Sequence, residues 1–183
     1  MASDPVSIAW VVSESFKPKD DQIEKMKAKG PIWGPSKQQS KCELDFIVCT
    51  EYNTAKHFMN RRIQDRAHIW LSESLFQKMG HPDRIQTHKH SVNPSLEQPE
   101  DLLSLLLAGE RNSVILAVGF NLKAPTTSLS KLKKFHHMQW LSSVSGIIKN
   151  YDKTQWVFCD VNKPAENFTK YDHCTFDKLK SVL

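Results

Sequence analysis

Glu14, Cys49 and Asp160 are the side chains best suited, by type and place, to do chemistry in this 183-residue chain. Each stands at the end of an apolar, strand-like run: Ser7 to Val12, Leu44 to Cys49 and Trp156 to Cys159. Open α/β sheets bind ligands beyond the carboxyl ends of their strands, so these ends are the first places to look. Two carboxylates such as Glu14 and Asp160 can divide general acid and general base duties if the fold brings them together. Cys49 precedes a helical segment whose first N–H groups would favour a thiolate. His57, within that segment, is the base such a thiol would use.

The same strand ends carry Ser13, Ser15, Thr50, Asn121 and Asn162, small polar groups that can hydrogen-bond a sugar, a base or a polar metabolite. These residue types also cap helices and turns, which is the plainer use of them. Trp33, between Pro31 and Pro35, reads as a loop indole able to stack on a base or a partner protein. Packing beneath the loop is the alternative.

Several familiar chemistries lack their residues. There is no G-x-G-x-x-G after the first strand, no G-x-x-x-x-G-K-[ST] and no G-x-S-x-G, so a dinucleotide fingerprint, a phosphate loop and a nucleophile elbow are all missing. His88-Lys89-His90 would set two imidazoles on one face of a strand, as a metal site requires. No Asp, Glu or Cys completes the set at a standard spacing, and a surface loop is the simpler expectation. His136 and His137 are adjacent in a helix and point to different sides. Cys42, Cys49, Cys159 and Cys174 form no C-x-x-C pair and read as buried thiols. No metal and no cofactor is expected.

The formal net charge is +5, with Lys25 and Lys27, Arg61 and Arg62, and Lys133 and Lys134 as the main clusters. Such groups can attract nucleic acid if they share a face. Acids dilute them and no exposed aromatics interleave, so a solvated surface is the competing reading. No apolar window is long enough for a membrane span. Met1 to Ser7 has no basic segment followed by an apolar run. A soluble, cytoplasmic protein without a membrane partner follows as the expectation.

The elements that must position these residues alternate between strand and helix. Ser7 to Val12 is a strand; Asp20 and Asp21 cap a helix from about Gln22 to Lys29 that stops at Gly30 and Pro31; Ile32 to Pro35 reads as a turn or loop. Leu44 to Cys49 is a second strand, and Thr50 or Asn53 caps a helix with Ala55, Phe58, Met59 and Ile63 inward. His68 to Leu71 is a third strand, Ser72 caps a brief helix ending at Gly80, and residues 84 to 88 add a short strand. His81 to Gln98 is otherwise surface loop. Pro99-Glu100-Asp101 opens a compact helix through Ala108, with acids in its first turn.

Val114 to Gly119 is apolar throughout, the mark of a central parallel strand covered on both faces. A long helix from Ser130 to Asn150 follows, with Phe135, Met138, Leu141, Val144, Ile147 and Ile148 as its expected buried stripe. Trp156 to Cys159 is the expected last strand, and Thr175 to Val182 a short helix.

This order predicts one domain over 1–183, a three-layer Rossmann-like or flavodoxin-like fold with a mostly parallel central sheet. The leading functional reading is a binding module for a nucleotide-like or other small polar ligand, or for a protein partner. The alternatives are a transferase or hydrolase acting on a nucleotide or sugar-phosphate, and a basic structural or nucleic-acid-associated protein.

Overall fold

A computed structural model describes residues 6–93, 96, 98–126, 128–159 and 172–174. Its strands are β1 (Ile8–Val12), β2 (Ile32–Pro35), β3 (Phe46–Val48), β4 (His68–Ser72), β5 (Ile85–His88), β6 (Val114–Val118), β7 (Gln155–Cys159) and β8 (Asp172–Cys174). They form one sheet in the order β5-β4-β3-β2-β1-β6-β7-β8, and every neighbouring pair is parallel. The chain winds outward from β1 to β5, returns to β6 beside β1, and winds outward the other way. Right-handed crossovers running in opposite directions place their helices on opposite faces. The result is a three-layer, doubly wound α/β fold.

The helices obey that rule. α1 (Asp20–Lys27), α2 (Tyr52–Asn60) and α3 (Glu73–Lys78) cover one face, where Met26, Phe58 and Leu75 pack on Trp10, Val12, Ile47 and Leu71. α4 (Pro99–Gly109) and α5 (Lys131–Asn150) cover the other, where Leu102, Leu105 and Trp140 join Ala9, Val11, Trp33 and Phe158. Strand residues alternate between the two cores, as a period of two demands. The apolar runs of β6 and β7 are thus buried on both sides, and Ile115 stands beside Trp156 in register. Among the described residues no helix is long and apolar enough to cross a membrane.

Several local expectations need correction. Ile32 to Pro35 is not a loop but β2, set between β1 and β3. Its glycine and proline read as a turn, yet here they answer to packing. A Cβ on Gly34 would lie 2.7 Å from Val12 Cγ2, so only glycine lets the neighbouring side chain in. Pro35 ends the strand, where a missing N–H matters least. β7 is also not the last strand, because β8 pairs with it.

The buried stripe of α5 is His137, Trp140, Leu141, Val144, Ile147 and Ile148, while Phe135 and Met138 are exposed. Steps of three residues rotate backwards by about 60° around a helix of 3.6 residues per turn. The run 144, 141, 138, 135 therefore walks off the buried face, whereas 144, 140, 137 stays on it.

Caps differ too. Lys19, not Asp20 or Asp21, is the N-cap of α1, and Glu51, not Thr50 or Asn53, is that of α2. Ser72 and Ser130 cap α3 and α5 by accepting from the N–H of Leu75 and Lys133. The expected helix from Thr175 to Val182 lies outside the described residues.

Candidate functional site

The winding reverses between β1 and β6, and a doubly wound sheet usually opens a crevice beyond that point. Here the crevice is filled. Ser13 N–H donates to Val118 O at 3.0 Å and Ser13 Oγ to Gly119 O at 2.6 Å, lacing the two strand ends together. Phe16 folds back onto Gly119, whose φ of +80° only glycine adopts at ease. A Cβ there would sit 2.7 Å from Phe16 Cβ.

A buried polar network continues along the carboxyl edge. Gln38 Nε2 donates to the carbonyls of Ser13, Glu14 and Phe16 at 2.5, 3.0 and 2.8 Å. The first turn of α4 reaches beneath the same loops. Glu100 Oε2 accepts from Ser36 N–H and Oγ at 2.8 and 2.7 Å, and Oε1 from Thr50 N–H and Oγ1 at 2.8 and 2.9 Å. All of that carboxylate's bonding is spent on tying the exits of β2 and β3 to α4. Asp101 Oδ1 accepts from Glu14 N–H, and burial pushes its carboxyl well above the usual carboxylate range. As first-turn acids Glu100 and Asp101 read as exposed charges facing a helix dipole. Nothing local in the sequence separates that role from a buried clamp.

The open space lies farther along this edge, beyond β3, β4 and β5. A cleft of about 720 Å³ is lined there by Thr50 and Glu51, by Ser72, Glu73 and Ser74, by His88 to Val92, and by Pro99 and Leu103 of α4. His88 ends β5 and is only 6% exposed, yet neither ring nitrogen makes a hydrogen bond of full geometry, and the backbone of His90 is a polar group that acts on the ring. The surface-loop expectation for this histidine is therefore corrected. His88 pairs in register with Ser72, on the sheet face covered by α4. Its ring lies 6.1 Å from that of His90, 19° from parallel.

Burial lowers the pKa of His88, and the nearby His90 charge adds to the effect, so the ring is neutral at neutral pH. His90 is engaged elsewhere, with Nε2 2.6 Å from Glu110 Oε1. Lys89 is 3.8 Å from Glu73. Among the described residues, no group of three or more His, Cys, Asp or Glu side chains is arranged to hold a metal ion.

The residues nominated from sequence fall in different places. Ser13 and Thr50 sit on the carboxyl edge but spend their hydroxyls inside the protein; Ser15 is exposed and accepts from Gln98 Nε2 at 3.0 Å. Asn121 is exposed at the exit of β6. Glu14 forms an ion pair with Lys37 at 3.2 Å. Cys49 is fully buried, and burial pushes its thiol up to about 12, so it is no thiolate at neutral pH. His57 is exposed on α2. Trp33 is a core indole, stacked on Phe46 with ring centres 4.1 Å apart. Asp160 and Asn162 lie outside the described residues.

The six basic candidates do not share a face. Lys25, Lys27, Arg61 and Arg62 lie on or beside α1 and α2, and Lys133 and Lys134 on α5 across the sheet. Lys25 is paired with Asp21, Lys27 with Glu43 and Arg62 with Asp65. Neither a family model nor a curated protein matches this chain.

Proposed function

We propose that this protein is a binding module that takes a small, uncharged polar ligand, of the sugar or nucleoside kind, in the cleft beyond β3, β4 and β5. The observation that carries the reading is His88, a buried and neutral imidazole in the cleft wall whose nitrogens make no hydrogen bond of full geometry. An unmade hydrogen bond at a buried polar atom costs about 1–3 kcal/mol, which a ligand offering a donor or an acceptor to the ring recovers. Ser91 adds a hydroxyl to the lining, where those of Ser72 and Ser74 bond one another, and Glu51 and Glu73 add acceptors for ligand hydroxyls. Those two carboxylates also disfavour a phosphate, and the one lysine of the lining, Lys89, is near Glu73. The buried thiols of Cys42, pushed up to about 11, and Cys49 suit a reducing compartment, and the cytoplasm is the location we propose.

Thermal-shift measurements against matched pairs test this reading: nucleosides against nucleotides, and free sugars against sugar phosphates. A raised Tm with the uncharged member of a pair is expected. The absence of any shift would remove the ligand site, and a larger shift with the phosphorylated member would overturn the ligand class.

A further inference from the structure

The helix α5 is apolar on two sides, and only one of them is covered. Its buried side rests on the sheet through Trp140, Leu141 and Val144. On its other side Leu132, Phe135 and Met138 are 64%, 58% and 47% exposed, and Leu129, just before the N-cap Ser130, is 37% exposed. They are the large hydrophobic residues exposed among the described residues apart from Val6. Single exposed apolar side chains are ordinary, but a row at helical spacing is a contiguous patch of the kind that marks an interaction surface.

The segment that carries this patch has charge of one sign. From Arg111 to Asn150 the sequence contains no Asp or Glu, while Lys123, Lys131, Lys133 and Lys134 fall in the half that carries the patch. Among the described residues none of these four lysines is in an ion pair. A second copy of the chain set against the same face would bring lysines against lysines, which disfavours a symmetric dimer there. A helix lying in a lipid surface buries a whole apolar face, whereas the main apolar side of α5 is already taken by the sheet and its exposed apolar residues form a row beside Lys131 and Lys134.

We infer that this face of α5 binds an acidic amphipathic helix of a partner protein. The partner lays apolar anchors along Leu132, Phe135 and Met138 and sets carboxylates toward Lys131, Lys133 and Lys134. Helix-against-helix recognition of this kind reads anchors three and four residues apart, and the thioether of Met138 adapts to whatever side chain meets it.

The test uses the full chain and a labelled synthetic peptide with Leu at helical i, i+3, i+4 and i+7 positions and Glu at the others, followed by fluorescence anisotropy. Binding that weakens as salt rises is expected, because the pairs are exposed. Phe135→Glu and Leu132→Glu should each weaken binding about tenfold or more, since each removes an anchor and adds a like charge. Both positions are exposed, and circular dichroism melting checks that each variant folds. No binding, equal binding of a scrambled peptide, or unchanged affinity in the folded variants would overturn the inference. So would tighter binding to vesicles of equal parts phosphatidylcholine and phosphatidylglycerol, if Phe135→Glu abolished it.

Discussion

Asp101 Oδ1 accepts a hydrogen bond from the backbone N–H of Glu14 at 2.9 Å, and this contact fastens the first turn of α4 to the loop that closes the switch point. The other oxygen, Oδ2, is buried without a partner. Burial is the main cause that pushes this carboxyl upward; the Glu14 N–H opposes it, and the charges of Glu14 and Glu100 add to it.

A carboxyl whose folded pKa exceeds its unfolded value favours folding at low pH. Its contribution is complete below the unfolded value, near 3.8, and is lost as pH rises through the folded value. Asp101→Asn keeps an oxygen for Glu14 and removes the ionisation. The variant should therefore gain on the native protein as pH rises from about 4 and level off above the folded pKa. Urea midpoints measured across that range check this. Two parallel curves would show that Asp101 does not titrate with folding.

Glu100, next to it in the chain, is a buried carboxyl group whose hydrogen bonding is complete. Its four hydrogen bonds join Ser36 and Thr50 to α4. Glu100→Ala should cost about 3–5 kcal/mol, because bonds to a charged group are worth about 1.5–3 kcal/mol each and do not add fully. Glu100→Gln keeps one oxygen and should cost roughly half as much. Denaturant titration gives the totals. Faster amide exchange at Ser36 and Thr50 in the alanine variant would locate the loss, and unchanged exchange there would contradict the clamp.

Gly119 is held by Phe16 in a way that the double variant tests. Gly119→Ala must adopt a φ of +80° and meet Phe16 Cβ at 2.7 Å and Phe16 N at 3.0 Å. The left-handed conformation alone costs about 1–2 kcal/mol. The atoms met remain in Phe16→Ala, so that substitution should not rescue Gly119→Ala. A double-mutant coupling near zero is expected, and a rescue would place the clash on the ring instead.

The parts of this fold that were legible in sequence are those in which one segment declares its own surroundings. Val114 to Val118 is apolar without alternation, and Trp156 to Cys159 likewise, so both read as strands covered on two faces, and they are neighbours. β2 was illegible because Gly34 answers to Val12, a residue far away in sequence, and not to a turn. The strand-end rule led to the carboxyl edge but not to its open part. Ser13 and Thr50 have the types a ligand site uses, yet Gly119 and Glu100 take up their hydroxyls. His88 was hidden for the converse reason. Its neighbours in sequence are polar, and what buries it is the register with Ser72 and the α4 side of the sheet.

His88 gives the cleft a pH dependence of definite sign. Its pKa lies below the ordinary 6.5, chiefly through burial and next through His90, so the unfolded chain takes up the proton more readily than the folded one. Its contribution to stability is present above 6.5 and is lost as pH falls through the folded pKa. Ligand binding should follow the same course. Affinity for the uncharged ligand that gives the largest thermal shift should be flat above about pH 7, because the ring there keeps one donor and one acceptor. It should fall in acid, when protonation turns the acceptor into a donor.

His88→Phe separates this role from a packing role. The phenyl ring fills the same space and removes two buried nitrogens that make no hydrogen bond of full geometry, so the ligand-free variant should be as stable as the native protein or more so. Binding should nevertheless weaken by about tenfold or more, the equivalent of about 1.4 kcal/mol, and lose its dependence on pH. Titration calorimetry at three pH values reads both effects together. A variant that melts earlier yet binds as tightly would make His88 a packing residue and leave the cleft without its recognition group.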